Sequence, residues 1–210
     1  MACLAEMRPD YLVLGPEVNF LRIFRPGEFV EFASVFRDAY ALIKNTSPET
    51  QVGVSIQYDV FVQEVEEGGT GEWMSELGDR DFLGLTTYFG SADERRAKFP
   101  NPLDIPDDYY RWARRLFGED IPIVFTEVAW STFHDGGEES QFVFVNRLPA
   151  LMQAVRPVNV IWGLQHDILD YYSGEIHPLN WIGLRRLDGA PKPGWQQVLR
   201  LRAVGLYRSP

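Results

Sequence analysis

Two glutamates, Glu17 and Glu127, stand 110 residues apart, and each comes at the end of a short apolar run, DYLVLG before the first and PIVFT before the second. Paired carboxylates can divide acid–base work. One gives a proton to a leaving oxygen while the other attacks carbon or activates water, which is what hydrolysis of a glycosidic bond requires. Aromatic residues stand at comparable places: Tyr88 after DFLGLTT, Trp130 three residues beyond Glu127, and Trp162 within VNVIWGL. An aromatic face packs well on the apolar face of a sugar ring. Asn19 and His166 add polar groups that can hydrogen-bond hydroxyls.

Each of these residues also has a plainer reading. Glu17 could cap the helix that starts after its strand, and Tyr88 could be a rim or core aromatic. Trp130 could pack under the following loop, and His166 with Asp167 could be a hydrogen-bonded structural pair. No serine or cysteine nucleophile motif accompanies them. His134 and His177 lack ligand spacing and read as surface residues. The Glu64–Glu67 stretch (EVEE) reads as a solvated loop, and residues 68–71 (GGTG) lack the Lys-Ser/Thr ending of a phosphate-binding loop. No metal or organic cofactor is implied.

These residues need elements to position them. Five apolar runs, starting at 10, 51, 81, 122 and 158, have little polar alternation, the pattern of strands buried on both faces of a parallel sheet. Helical spacing lies between them. Phe29, Phe32, Ala33, Phe36, Tyr40 and Ile43 share one face of a helix that should stop before Pro48. Further helices are predicted from Pro106 to Gly118, from Glu138 to Val155 with Pro149 inside it, and from Trp195 to Val204. Residues 65–71 read as a loop, followed by a short helix around Trp73–Leu77. Strand and helix in alternation mean βα units, at a mean spacing of about 37 residues, in an α/β protein whose ligands meet the C-terminal ends of the strands.

Composition narrows the class. The 210 residues include 45% hydrophobic and 14% aromatic residues, enough for a sizeable core. A net charge of −10 repels phosphate backbones, so nucleic acid and anionic membranes are poor partners, while a neutral sugar is compatible. One cysteine, Cys3, excludes an internal disulfide framework and leaves the redox compartment open. No apolar run is long enough to span a membrane, and the N-terminus lacks a signal-peptide pattern, so localisation stays unassigned.

The segments carrying this chemistry resemble those of the clan A glycoside hydrolases. LVLGPEVNF resembles their strand-4 motif, IPIVFTEVAWS the strand-7 motif, DFLGLTTYFG strand 6, and VIWGLQHD strand 8 with its substrate-stacking Trp; IGLRRLDGAPKPGWQQV is similar to the segment that follows. The similarity is nearest to endo-acting types such as the β-1,4-galactanases. It implies that residues 1–210 are the C-terminal part of a single (β/α)8 TIM-barrel catalytic domain, strands 4 to 8, with an open sheet whose edges favour self-association. It further implies a retaining cleavage of β-linked O-glycosidic bonds with carboxyl groups about 5–5.5 Å apart. Glu127 would be the nucleophile and Glu17 the acid/base, Tyr88 would orient Glu127, and Trp162 would stack beneath the sugar. Asn19, Trp130 and His166 are further candidate sugar contacts. One position departs from the pattern: Pro16 stands where the family carries Asn before the acid/base, which leaves a non-catalytic carbohydrate-binding barrel fragment as the alternative.

Overall fold

Each apolar run becomes a strand. The computed structural model, which describes residues 6–89, 99–133, 137–169 and 178–203, contains β1 (Tyr11–Gly15), β2 (Gln51–Gln57), β3 (Phe82–Phe89), β4 (Ile123–Trp130) and β5 (Asn159–Trp162). His134 and His177 lie outside the described residues. The strands hydrogen-bond in chain order, β1-β2-β3-β4-β5. β1 pairs with β2 and β2 with β3 in parallel, with Gly53 opposite Phe82 and Gln57 opposite Thr86. β3 and β4 advance together as well, from Leu83 N–H donating to Pro122 O to Ser131 N–H donating to Phe89 O. Parallel neighbours need long crossovers, and helices fill them. The chain is therefore α/β, with the parallel βα repeat of a barrel. Two compact units divide it, Met1–Thr86 with Arg115–Phe125, and Thr87–Arg114 with Thr126–Pro210.

The first unit holds β1, β2, the start of β3 and the helices α1 (Val18–Phe24), α2 (Pro26–Thr46) and α3 (Tyr58–Glu66). α2 opens with Pro at its first position, where a missing N–H costs nothing, and buries Phe29, Ala33, Phe36, Ala39 and Ile43 at three- and four-residue spacing. Each large side chain buried this way contributes about 1.5–3 kcal/mol of hydrophobic free energy. Val52, Val54 and Ile56 of β2 are fully buried, as are Phe82, Leu83 and Leu85 of β3. α3 begins directly after β2, because the Gln57 side chain caps it by accepting the Val60 N–H at 2.7 Å. The helix runs through Glu66, so the Glu64–Glu67 stretch is not the expected solvated loop. Glu64 is instead half-buried and bound to Arg22 of α1 at 2.6 Å.

The second unit takes the end of β3, most of β4, β5 and the helices α5 (Gly137–Met152) and α6 (Pro193–Ala203); α4 (Arg111–Phe117) is divided between the units. Its core is aromatic. Phe89 meets Tyr109 at 5.7 Å, Trp130 at 6.0 Å and Phe144 of α5 at 5.2 Å, centroid to centroid. α5 continues through Pro149 to Met152, burying Phe144, Val145, Leu148 and Leu151.

Candidate functional site

In the first unit the chain turns sharply out of β1 at Glu17, which adopts the left-handed conformation, φ 49° and ψ 44°. A non-glycine residue there costs on the order of 1 kcal/mol or more, so its surroundings must hold it. They do so at both ends. The Glu17 N–H donates to Ser55 Oγ at 3.0 Å, and Thr86 Oγ1 donates to Glu17 Oε1 at 2.6 Å. Ser55 and Thr86 are each 1% exposed, on β2 and β3, so the carboxylate is fixed by rigid strands. Glu17 occupies the position before α1, yet its side chain makes no capping hydrogen bond. The capping explanation for this residue fails.

Asn19 is corrected by the structure. It is fully buried, its Nδ2 donates to Gln57 O and its Oδ1 accepts the Gln57 N–H, both at 2.9 Å. With both ends of the amide spent on one backbone, it braces the start of α1 to the end of β2 and offers nothing to a ligand. Pro16 is exposed.

In the second unit Glu127 is partly exposed within β4, and Tyr88 is partly exposed near the end of β3. Gly163 follows β5, and a side chain there would come within 3.4 Å of the Tyr88 ring and 3.2 Å of Ile182, so glycine lets the ring close onto the backbone beside Trp162. Trp162 is half-buried, and its indole N–H donates to Ile182 O at 2.7 Å, which fixes the ring plane. Trp130 is the second correction. Only 2% exposed, it stacks on Phe89 and packs on Phe144 at 5.5 Å, so it belongs to the core rather than to a sugar-facing surface. His166 is exposed.

His166 and Asp167 do not form the structural pair considered from sequence, since the described partners of Asp167 lie elsewhere. Its Oδ1 accepts from Lys192 Nζ at 2.7 Å and from the Gly183 N–H at 3.0 Å, and the two charged side chains are 1% and 2% exposed. Burial raises the Asp167 carboxyl above the usual carboxylate range and lowers the Lys192 ammonium below its usual range; their mutual bond opposes both shifts. Lys192 also donates to Thr132 Oγ1 at 2.9 Å, and the Thr132 hydroxyl in turn donates to Trp181 O at 3.0 Å. Gly183 is obligatory here, because a Cβ would lie 2.2 Å from Asp167 N. Beside this network opens a cavity of about 500 Å³, walled by Trp181, Leu187, Asp188 and the Arg186–Glu138 pair, whose two hydrogen bonds are both 2.7 Å.

Ser55, Thr86, Lys192 and Trp181 went unmarked in the sequence. Thr86 had a faint signal, two adjacent threonines ending an otherwise apolar run. Lys192 was visible only as part of a Lys-Pro dipeptide. Among the described residues no cluster of His, Cys, Asp and Glu could hold a metal ion, and no helix is long and apolar enough to cross a membrane.

No family model matches the sequence, and no curated protein matches it. Solved structures do. The GH53 catalytic domain of Ignisphaera aggregans aligns over 92% of this chain and 59% of its own, with a TM-score of 0.61 at 15% identity. A GH5_18 protein of Streptomyces cattleya in complex with Manβ1-4GlcNAc covers 100% of this chain and 53% of its own, TM-score 0.62, 16% identity. A β-glucuronidase of Faecalibacterium prausnitzii covers 95% and 32%, TM-score 0.61, 18% identity. The fold is part of a TIM barrel. These neighbours are glycoside hydrolases of clan A, and this chain spans less than two thirds of each.

Proposed function

We propose that the chain carries the catalytic carboxylates of a retaining glycoside hydrolase acting on β-linked glycans. Glu127 attacks the anomeric carbon and expels the leaving oxygen, to which Glu17 gives its proton. Glu17, now ionised, then takes a proton from the water that hydrolyses the glycosyl-enzyme ester. Tyr88 orients Glu127, Trp162 stacks on the sugar at the cleavage position, and His166 reaches a hydroxyl. The observation carrying this reading is the state of Glu17. A glutamate in a disfavoured backbone conformation, with its carboxylate bonded by a buried threonine and no capping duty, fits a residue placed for chemistry better than one placed for the fold. The barrel fold shared with glycoside hydrolases supports it. The endo-acting, galactanase-like type belongs to the same proposal.

Purified protein is assayed on aryl β-glycosides and β-linked polysaccharides, with the anomeric configuration of the first product followed by NMR. Hydrolysis with retained configuration is expected, and Glu127→Gln should lower it by a thousandfold or more, on the order of a lost catalytic group. Inversion, or activity indifferent to Glu127→Gln, would falsify the mechanism.

Pro16 favours a second reading. With no amide beside Glu17 to grip the sugar, the chain would bind glycans without turning them over, alone or after self-association through the outer strands β1 and β5. Calorimetric binding with no hydrolysis, and light scattering that rises with concentration, are its signatures.

A further inference from the structure

In the proposed reaction Glu17 must present a proton at a fixed place, and the strands beside it decide from which oxygen. Ser55 of β2 stands opposite Gly84 of β3, so Thr86, two residues on, is the next position on the same face. From that face the two hydroxyls reach opposite ends of one residue. Ser55 Oγ accepts the Glu17 N–H at 3.0 Å, and Thr86 Oγ1 donates to Glu17 Oε1 at 2.6 Å. We propose that Thr86 is a positioning residue for the proton transfer: by occupying Oε1 it assigns Oε2 as the oxygen that gives and takes the proton. The proposal rests on the glycosidase reading and goes beyond it by naming the atom that does the acid–base work and the residue that selects it.

The threonine hydroxyl has little other purpose. Thr86 is 1% exposed in a strand whose Phe82, Leu83 and Leu85 are apolar and fully buried. A hydroxyl in such a place costs roughly 1–3 kcal/mol unless it is hydrogen-bonded, and valine would fill the same space without that cost. Its other acceptor, Ile56 O, is 3.4 Å away, outside the usual range of an O–H···O bond. The 2.6 Å contact with Glu17 Oε1 has the length of a bond to a charged oxygen, so the single hydroxyl proton belongs there. Oε1 can accept that proton whether the carboxyl is ionised or neutral, but in the neutral acid it must then be the carbonyl oxygen. The acidic proton accordingly sits on Oε2, and among the described residues Oε2 has no hydrogen-bond partner. Both ends of the side chain are anchored, the backbone by Ser55 and the carboxyl by Thr86, whose β-branch is itself stiff. A catalytic group held to a fraction of an ångström depends on support of this kind.

The test compares kcat/KM for aryl β-glucosides, β-galactosides and β-mannosides carrying a good leaving group, 2,4-dinitrophenolate, or a poor one, unsubstituted phenolate. Phenolate needs a proton as it departs and dinitrophenolate does not, so the ratio of the two isolates proton donation from binding and folding. Thr86→Val keeps the shape and removes the hydroxyl. It should lower kcat/KM for the phenyl glycosides about tenfold relative to the dinitrophenyl ones, the worth of one hydrogen bond to a charged group. Thr86→Ser, which keeps the hydroxyl, should restore most of that ratio. Glu17→Gln, which can still accept from Thr86 but has no proton to give, sets the full effect at about a hundredfold or more. Thr86→Ala repeats the comparison if valine crowds Glu17. An equal loss on both leaving groups makes Thr86 a packing residue, and an unchanged ratio removes the assignment of Oε2. In both cases the glycosidase reading survives if Glu17→Gln shows its own loss. A Glu17→Gln ratio equal to that of the unmutated protein, or no hydrolysis of any dinitrophenyl glycoside, overturns the parent reading and the role of Thr86 with it.

Discussion

Glu17 in the first unit and Asp167 in the second are both carboxylates held by strand-borne or loop-borne partners, yet by different physics. Glu17 is partly exposed, and its fixed partners are neutral, a serine and a threonine on β2 and β3. Asp167 is buried with a single cation and a backbone N–H. A carboxylate with neutral donors and an open side is free to meet a ligand. A buried ion pair surrenders that freedom and in exchange fixes a loop to a helix start. The first arrangement suits chemistry and the second suits architecture, and both arise here from the same side-chain group.

The comparison breaks most visibly at Lys192. Lys192→Met leaves Asp167 buried without its cation, which costs about 3–5 kcal/mol. Urea unfolding should show that loss and thermal melting a drop of roughly 10 °C. Adding Asp167→Asn keeps an acceptor for the Gly183 N–H while removing the stranded charge, so the double variant should recover at least half of it. No recovery would mean that the lysine matters through packing alone.

A smaller effect is expected at Glu17, where the backbone rather than the charge is at stake. Glu17→Gly and Glu17→Ala both remove the carboxylate, but only glycine accepts φ 49° without strain. The glycine variant should be the more stable by about 1 kcal/mol, or about 3 °C in melting temperature. Equal melting temperatures would show that the turn relaxes and that the strain is not stored.

The smallest effect involves neither carboxylate. Burial, then the bond donated to Asp81 Oδ1 at 3.0 Å, pushes the Tyr40 hydroxyl up to about 12. The folded protein thus keeps a proton that the unfolded chain gives up near pH 10. The associated stability is complete below that pH and is lost as pH rises toward 12. Tyr40→Phe should flatten the pH dependence of unfolding in that window; an unchanged slope assigns the alkaline loss to other groups.

Much of this was legible in the sequence, and the reasons differ by element. β2 matches its apolar run, Gln51–Gln57, end to end, because an all-inward strand announces itself by composition. β4 runs on past the predicted Thr126 to Trp130, since ladder bonds carry a strand through a polar Thr-Glu pair that hydropathy reads as its end. α3 was missed because it starts with no intervening loop and ends in acidic residues, so nothing punctuates it. Glu17 and Glu127 stand out as candidates in the sequence because each follows an apolar run, although Glu127 lies within β4 rather than after it. Asn19 and Trp130 were misread for a common reason: each looks like a ligand contact by type and position, and only long-range neighbours, Gln57 for one and Phe144 for the other, reveal a structural duty. The Asp167–Lys192 pair, 25 residues apart, was unreadable on the same ground.

The same pair also sets an order of events during synthesis. Asp167 emerges from the ribosome before Lys192, and until the lysine follows, burying that carboxylate would leave a charge uncompensated. The loop after β5 must therefore stay hydrated while Gly183 and the start of α6 are still being made. Closure of the second unit waits on residue 192, whereas Glu17, Ser55 and Thr86 can assemble as soon as β3 is available. A nascent chain stalled between those two points would carry a finished Glu17 bracket and an unfinished neighbour, a state within reach of pulse proteolysis on arrested ribosomes.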